Sequence, residues 1–156
     1  AGGFILEGVW GANQLNADSV FLCGVYGTNS LPGTSDPSAL TNFAGFAFDN
    51  GDTQFQFMHN DASGSCTKVP LGADFPRPTA AVSLYFWQLY CDPNAASIGY
   101  YLLNLADTTK VAVGSASSNL PVNTTGLYPV IALGTGPTTS TAIHLDFARL
   151  YCETTL

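Results

Sequence analysis

The feature that most constrains this chain is the absence of any stretch with helical spacing of apolar residues. Short runs rich in Val, Phe, Tyr and Leu are broken by turn residues every ten or so positions, and 16 Gly and 9 Pro punctuate the 156 residues. Parallel β/α folds need intervening helices of about 10–15 residues, which this pattern does not supply. The expectation is an all-β fold, a two-sheet antiparallel β-sandwich of about eight to ten strands built as a single domain over residues 1–156. A chain of this length buries most of its apolar surface without help from disulfides or metals.

The sharpest local signal is FAGFAF-DNGD-TQFQFM, residues 43–58. If Asn50-Gly51 forms a type I′ turn, in which both residues take φ > 0, Asp49 faces Asp52, Phe48 faces Thr53 and Phe46 faces Phe55. Ala44, Phe46, Phe48, Thr53, Phe55 and Phe57 then share one face, while Gly45, Ala47, Gln54, Gln56 and Met58 take the other, because strand side chains alternate.

Residues 82–91 (VSLYFWQLYC) are apolar at both parities and predict a central strand covered on both sides. Residues 98–105 and 110–113 predict two more strands joined by a short turn. Pro129 marks 127–133 as an edge or lead-in segment, since proline donates nothing to a ladder. In AIHLDF, Ile143, Leu145 and Phe147 point inward and His144 and Asp146 outward. Arg149 would break that inward face, so a bulge or strand end is expected near Ala148. Phe4, Ile5, Leu6, Val9 and Trp10 supply a first strand. Two polar loops, 27–41 and 62–79, are long enough to predict functional or interface-forming segments.

Composition excludes several function classes. Four Lys and Arg stand against eleven Asp and Glu, giving a net charge of -7. Lys68, Arg77, Lys110 and Arg149 are scattered singly, so neither a nucleic-acid backbone nor an anionic membrane is an expected partner. No apolar run approaches the roughly 18 residues of a membrane span. The first ten residues lack the basic start and apolar core of a signal peptide. Cys23, Cys66, Cys91 and Cys152 form no C-x-x-C pair. They are read as small buried hydrophobes, with the alternative of disulfides in any of three pairings. Asn123-Thr124-Thr125 is a single glycosylation sequon.

Chemistry-bearing constellations are sparse. The two glutamates, Glu7 and Glu153, lie near opposite ends of the chain and become neighbours only if the terminal strands pair. His59-x-Asp61 and His144-x-Asp146 place two polar groups on one side of a strand and read as surface pairs, since no nucleophile elbow accompanies them. Asp49-Asn50-Gly51-Asp52 is oxygen-rich but is already explained as a turn. The expectation is a non-enzymatic protein with no cofactor and no bound metal. Its candidate contact residues are the aromatics Trp10, Tyr100 and Tyr101, of which the tyrosine pair sends one ring inward and one outward, and the polar groups Asp49, Asp52, His144 and Asp146.

Residues 97–151 resemble the C-terminal half of concanavalin-A-like (laminin-G-like) jelly-roll domains of phage fibre and capsid-surface proteins. The matching pieces are the strand pair IGYYLLNLADTTKVAVGSAS, then Ser118-Asn119-Leu120-Pro121, GLYPVIALGTG and the closing AIHLDFARLY. With 82–91 added, the resemblance spans about two-thirds of the chain. Its motifs are mostly strand and turn chemistry, and no functional residue carries over. The resemblance implies a jelly roll on a virion surface, made in the host cytoplasm. It implies a homotrimer that binds capsid or tail proteins as a cement or decoration module, or else a receptor-binding fibre head that takes host glycans.

Overall fold

Strands with apolar residues at alternate positions need a second surface to close against. In the computed structural model two antiparallel sheets supply it, each with five strands among the described residues. The structure describes residues 2–13, 18–30, 33, 35–78, 83–136 and 143–154; the side chains of Ala12, Asn13, Ser83, His144, Phe147 and Ala148 fall outside that description. The first sheet contains β1 (Phe4–Asn13), β6 (Ser83–Cys91), β7 (Ile98–Asn104), β8 (Val111–Ala116) and β10 (His144–Thr154), in the order β10-β1-β6-β7-β8. The second contains β2 (Val20–Tyr26), β3 (Phe43–Phe48), β4 (Gln56–Asn60), β5 (Thr67–Pro70) and β9 (Tyr128–Gly134), in the order β5-β4-β3-β2-β9. The two-sheet β-sandwich is as expected.

The core between the sheets is aromatic. Trp10 stacks on Phe21 with ring centroids 4.0 Å apart, and Phe57 stacks on Tyr100 at 4.2 Å. Phe55 meets both Trp10 and Tyr85 edge-on, and Phe46 meets Trp87. Each pair joins one sheet to the other. Offset and edge-to-face rings each add about 0.5–1.5 kcal/mol beyond the area they bury.

The faces of the 43–58 hairpin are as predicted except at Thr53, which is exposed beyond the paired strands, but the register is not. Phe46 pairs with Phe57 and Ala47 with Gln56, two residues beyond the expected partners. A slip of two keeps every side chain on its face, so Phe46, Phe48, Phe55 and Phe57 still enter the core. The cause lies at the turn. The Asp52 N–H closes on the Asp49 carbonyl, but Gly51 alone takes positive φ (80°), as in a type II turn. Residues 53–55 then leave β3 and bond to 75–77: the Phe55 N–H donates to Phe75 and the Arg77 N–H to Thr53.

The bulge falls where Arg149 requires it. Val9 pairs with Arg149 and Trp10 with Phe147, leaving Ala148 as the extra residue. The proline-bearing β9 is an edge strand, as expected. Two loop predictions are corrected. The 62–79 segment contains β5, whose only bulky apolar residue besides a proline is Val69, too weak a pattern to read. Within 27–41, the 3-10 turn Pro37–Ala39 and the buried Leu40 lie over the outer face of the second sheet, against Leu22, Phe43, Ala47 and Met58. Asn60 pins this cover by donating its amide to the Leu40 carbonyl at 2.7 Å.

The first sheet has no such cover among the described residues. β6 occupies its middle as expected, with Tyr85, Trp87 and Leu89 buried, yet Leu84 and Tyr90 are 39% and 40% exposed. The prediction that 82–91 is covered on both sides is therefore corrected: it is covered on one.

Close strand contact makes two glycines unequal. A Cβ on Gly45 would strike the backbone carbonyl of Cys23, whereas one on Gly99 would strike the ring of Tyr90, which can swing into solvent. Gly45→Ala is expected to destabilise by about 3 kcal/mol and Gly99→Ala by under about 1 kcal/mol. Urea denaturation of both variants checks this, and equal losses would show that the β2–β3 spacing yields easily.

Candidate functional site

The uncovered face of the first sheet follows from strand alternation. With Leu6 and Trp10 committed to the core, Ile5, Glu7 and Val9 of β1 point away from it. Opposite them stand Tyr90, Gln88 and Phe86 on β6, and Glu153, Tyr151 and Arg149 on β10. Tyr101 and Leu103 on β7 continue the rows, followed by Val113 and Val111 on β8. Nine large hydrophobic residues are exposed among those described, and all but Tyr128 belong to the strands of this sheet or the turn after β7. Val113, at 63%, is the most open of them. Leu150, opposite Gly8, has inward parity and Leu105 lies in the turn; Ile5, Leu84, Tyr90, Val111, Val113 and Tyr151 share the outer face. Scattered exposed apolar residues are ordinary; such a set on one sheet face marks a contact surface.

The β10 side of the face is polar and internally paired. Arg149 donates to Glu7 Oε1 at 2.8 Å, and Gln88 Nε2 donates to Glu7 Oε2 at 3.1 Å. The Tyr151 hydroxyl donates to Glu153 Oε2 at 2.6 Å. That hydrogen bond, with the charges of Glu153 and Glu7, holds the phenol above its usual pKa. The terminal strands do pair, so both glutamates share one face. Toward β8 the outward residues Tyr90, Phe86, Tyr101, Leu103, Val111 and Val113 carry no charge.

The candidate contact residues separate sharply. Trp10 is fully buried between Phe21 and Tyr85 and offers no surface; the expectation of an exposed ring is corrected, because its parity on β1 is that of Leu6. Tyr100 is buried, with its ring over Gly114, while Tyr101 stands on the outer face edge-on to Phe86. Asp146 is exposed on β10 opposite Gly11. His144 pairs with Asn13, and its side chain lies outside the described residues.

Asp49 and Asp52 are not contact residues but a clamp, and that expectation too is corrected. Lys68 lies 3.1 Å from Asp49 Oδ2 and 2.6 Å from Asp52 Oδ2. Asp49 Oδ1 accepts the Ser38 N–H, tying the cover segment to the turn. Partial burial opposes the ammonium charge on Lys68, but hydrogen bonds to Asp52 and Asp49 outweigh it and raise its pKa. Arg77 completes the clamp by donating to the Ser19 carbonyl at 2.6 Å beneath the Phe48 ring. His59 is likewise structural. It is buried, with Nδ1 against the Asn119 carbonyl, so the surface pair expected with Asp61 does not form.

What the sequence reading missed is the aliphatic part of the face: Ile5, Val9, Leu84, Leu103, Val111 and Val113. VSLYFWQLYC and VAVGSA show apolar residues at outward positions, but periodicity does not reveal whether a face is covered. A second feature is a cavity of about 350 Å³ at the end of the sandwich, lined by Phe4, Leu6, Val25, Ile98, Leu120 and Leu127, with Asp92, Asn94 and Asn123 among its polar groups. None of the predicted contact residues lines it.

Cys91 and Cys152 also line that cavity, and all four thiols are free. Cys23 is buried and matches the hydrophobe reading, whereas Cys152 is exposed and does not. Compared with protein-family models the chain matches none, and no curated protein aligns with it significantly.

Burial raises the Cys23 thiol well above its ordinary range and, with the nearby Asp49 charge, pushes Cys66 up to about 12. A raised folded-state pKa gives stability that is complete below the unfolded value, about 8.5 for a thiol, and is lost as pH rises toward the folded one. Stability is therefore expected to decline from about pH 9 upward. Ellman's reagent at neutral pH should label Cys152 first and leave Cys23 and Cys66 until unfolding. Early labelling of Cys66 would show that the cover over the second sheet opens readily.

Proposed function

We propose that this chain is a non-enzymatic structural module of a phage virion surface, a cement or decoration piece that docks on neighbouring capsid or fibre proteins through the bare face of its first sheet. The observation that carries the reading is the contrast between the two outer faces. The second sheet's is largely covered by the chain's own Leu40, with Tyr128 left exposed at its β9 edge, while the first sheet's keeps Ile5, Leu84, Tyr90, Val111, Val113 and Tyr151 exposed among the described residues. An exposed contiguous apolar face has a solubility cost unless something covers it.

The virion setting comes from the resemblance of residues 97–151 to phage surface jelly rolls. The low charge, 10% of residues, supports the reading, because few ions need desolvating when such a face is buried. Few unpaired charges also suit a piece that sits in close subunit contact. The anticipated contact through the long loops is replaced here by the sheet face, since part of 27–41 is used internally.

A second reading, a carbohydrate-binding fibre head, is favoured by Tyr90, Tyr101 and Tyr151 standing beside Glu7, Gln88 and Arg149. Ring faces flanked by hydrogen-bonding groups suit sugars. The aliphatic rows toward β8 favour a protein partner, since Val and Leu offer a sugar neither a ring face nor a hydrogen bond.

Quantitative mass spectrometry and immunogold labelling of purified particles that encode the chain test the proposal. The expected result is the chain on the particle surface at a fixed copy number relative to the major capsid or tail protein. Its absence from particles overturns the reading. Glycan binding abolished by Tyr101→Ala and Tyr151→Ala, without lattice binding, would establish the fibre-head alternative instead.

A further inference from the structure

We infer that the cavity at the end of the sandwich is a binding site for a small cationic amphiphile: an apolar body the size of a ring with a short chain, ending in an ammonium group beside Asp92. The inference goes beyond the assembly reading and does not rest on it, because none of the outward residues of the first sheet lines the cavity.

Strand parity explains why space is left there. Phe4 and Leu6 hold inward positions on β1, and Cys91 on β6 and Cys152 and Thr154 on β10 stand opposite them. Inward positions in the middle of the sandwich are filled by stacked rings, but Phe4 supplies the only aromatic ring in the described cavity wall. Cys91 is half-buried, and Cys152 and Thr154 are exposed despite their inward parity. The second sheet ends short of them: β2 contributes Val25 and stops at Tyr26, and β9 contributes Pro129. Leu120 and Leu127, from the connection between β8 and β9, complete the wall. The exposure of Cys152 and Thr154 puts the mouth of the cavity along β10.

Size sets the body of the ligand. The cavity holds about 350 Å³, toward the lower end of the roughly 300–1,000 Å³ of small-molecule pockets. Apolar cavities of about 150 Å³ take up benzene, so this one has room for a ring carrying a short chain. A mainly apolar wall with a few polar groups is the ordinary composition of such sites.

Charge sets the head. Asp92 is the one charged side chain in the described wall. The chain's basic residues are committed elsewhere: Lys68 to Asp49 and Asp52, Lys110 to Asp74, and Arg149 to Glu7. Arg77 lies against the Phe48 ring and donates to the Ser19 carbonyl. The described wall therefore has no Lys or Arg to hold a carboxylate or phosphate head, and the net charge of -7 disfavours an anion further. Burial and the Asp92 charge together raise the pKa of the Cys91 thiol, so the field of the carboxylate reaches the wall. An ammonium head at Asp92 gains that field. Asn123 adds an amide oxygen to the polar part of the wall, which suits a group with three N–H donors.

The test is isothermal titration of the full chain, at neutral pH and low salt, with compounds that share one body: 3-phenylpropylamine, 3-phenylpropanol and 3-phenylpropanoate. The amine is expected to bind with a Kd on the order of 0.1 mM. It should bind about fivefold tighter than the alcohol, as for a partly screened ion pair, and the carboxylate should bind weakest. Asp92→Asn should bring the amine down to the alcohol's affinity and leave the alcohol unchanged. Cys152→Trp fills the mouth from an exposed strand position and should abolish binding of both; Thr154→Trp, the neighbouring inward position, serves if that variant fails to fold. Val113→Thr, on the outer face of the first sheet, should change neither. Bound amine should also slow the labelling of Cys91 and Cys152 by Ellman's reagent.

No binding of the amine at about 5 mM, far above the expected Kd, overturns the inference. So does a carboxylate that binds as tightly as the amine, or binding that survives the filled mouth in a folded chain. An amine that keeps its advantage over the alcohol in Asp92→Asn overturns the assignment of the head to Asp92.

Discussion

The rest of the structure depends on the aromatic contact between the sheets. Trp10 on Phe21 and Phe57 on Tyr100, with Phe46 against Trp87 and Phe55 against Tyr85, set the spacing and lateral position of the two layers. Rings of this size bury more area than any aliphatic residue, and their stacking fixes orientation as well as distance. Once Trp10 and Tyr100 are committed to the interior, alternation sends Ile5, Glu7, Val9 and Tyr101 outward. The composition of the exposed face is thus a consequence of where the core rings sit.

The same commitment separates the outer faces. The second sheet presents Leu22, Phe43, Ala47 and Met58 outward, and a connection long enough to fold back seals them. The seal is held by polar chemistry: Asn60 to the Leu40 carbonyl, the Ser38 N–H to Asp49, and Asp49 and Asp52 to Lys68. Hydrogen bonds to charged groups each contribute about 1.5–3 kcal/mol when shielded, although the Lys68 pairs are partly open to water and contribute less. On the first sheet the equivalent polar groups pair on the face itself, Arg149 and Gln88 with Glu7 and Tyr151 with Glu153, and among the described residues hold no covering segment.

Much of this was legible in the residues. The faces of the 43–58 hairpin survive an error of register because a slip of two preserves parity, and Arg149 marked the bulge because a charge cannot take the inward position that alternation assigned it. Pro129 marked an edge because it has no N–H to give. Other features depend on tertiary contacts that leave no local trace. Asn50 keeps φ negative because its N–H is held by Asp36, fourteen residues away, so an Asn-Gly pair that favours one turn adopts another. Trp10 and Val9 are equally apolar, and only the pairing of β1 with β6 decides which is inside. Likewise, 82–91 is apolar at both parities whether its outer face is covered or bare.

Edge protection carries the asymmetry one step further. An exposed strand edge is a template for pairing with another chain, and proteins blunt it with proline, lysine or other charges. Both edges of the second sheet follow this rule: β5 carries Lys68 and Pro70, and β9 carries Pro129. In the first sheet β10 carries Asp146, Arg149 and Glu153, whereas β8, VAVGSA, carries neither proline nor charge. Among the described residues, this otherwise unguarded edge borders the uncharged, apolar side of the first sheet's outer face. Lys110, paired with Asp74 just before β8, guards one end of that edge; beyond it Val111 and Val113 run along an edge that carries none of the devices that keep proteins apart.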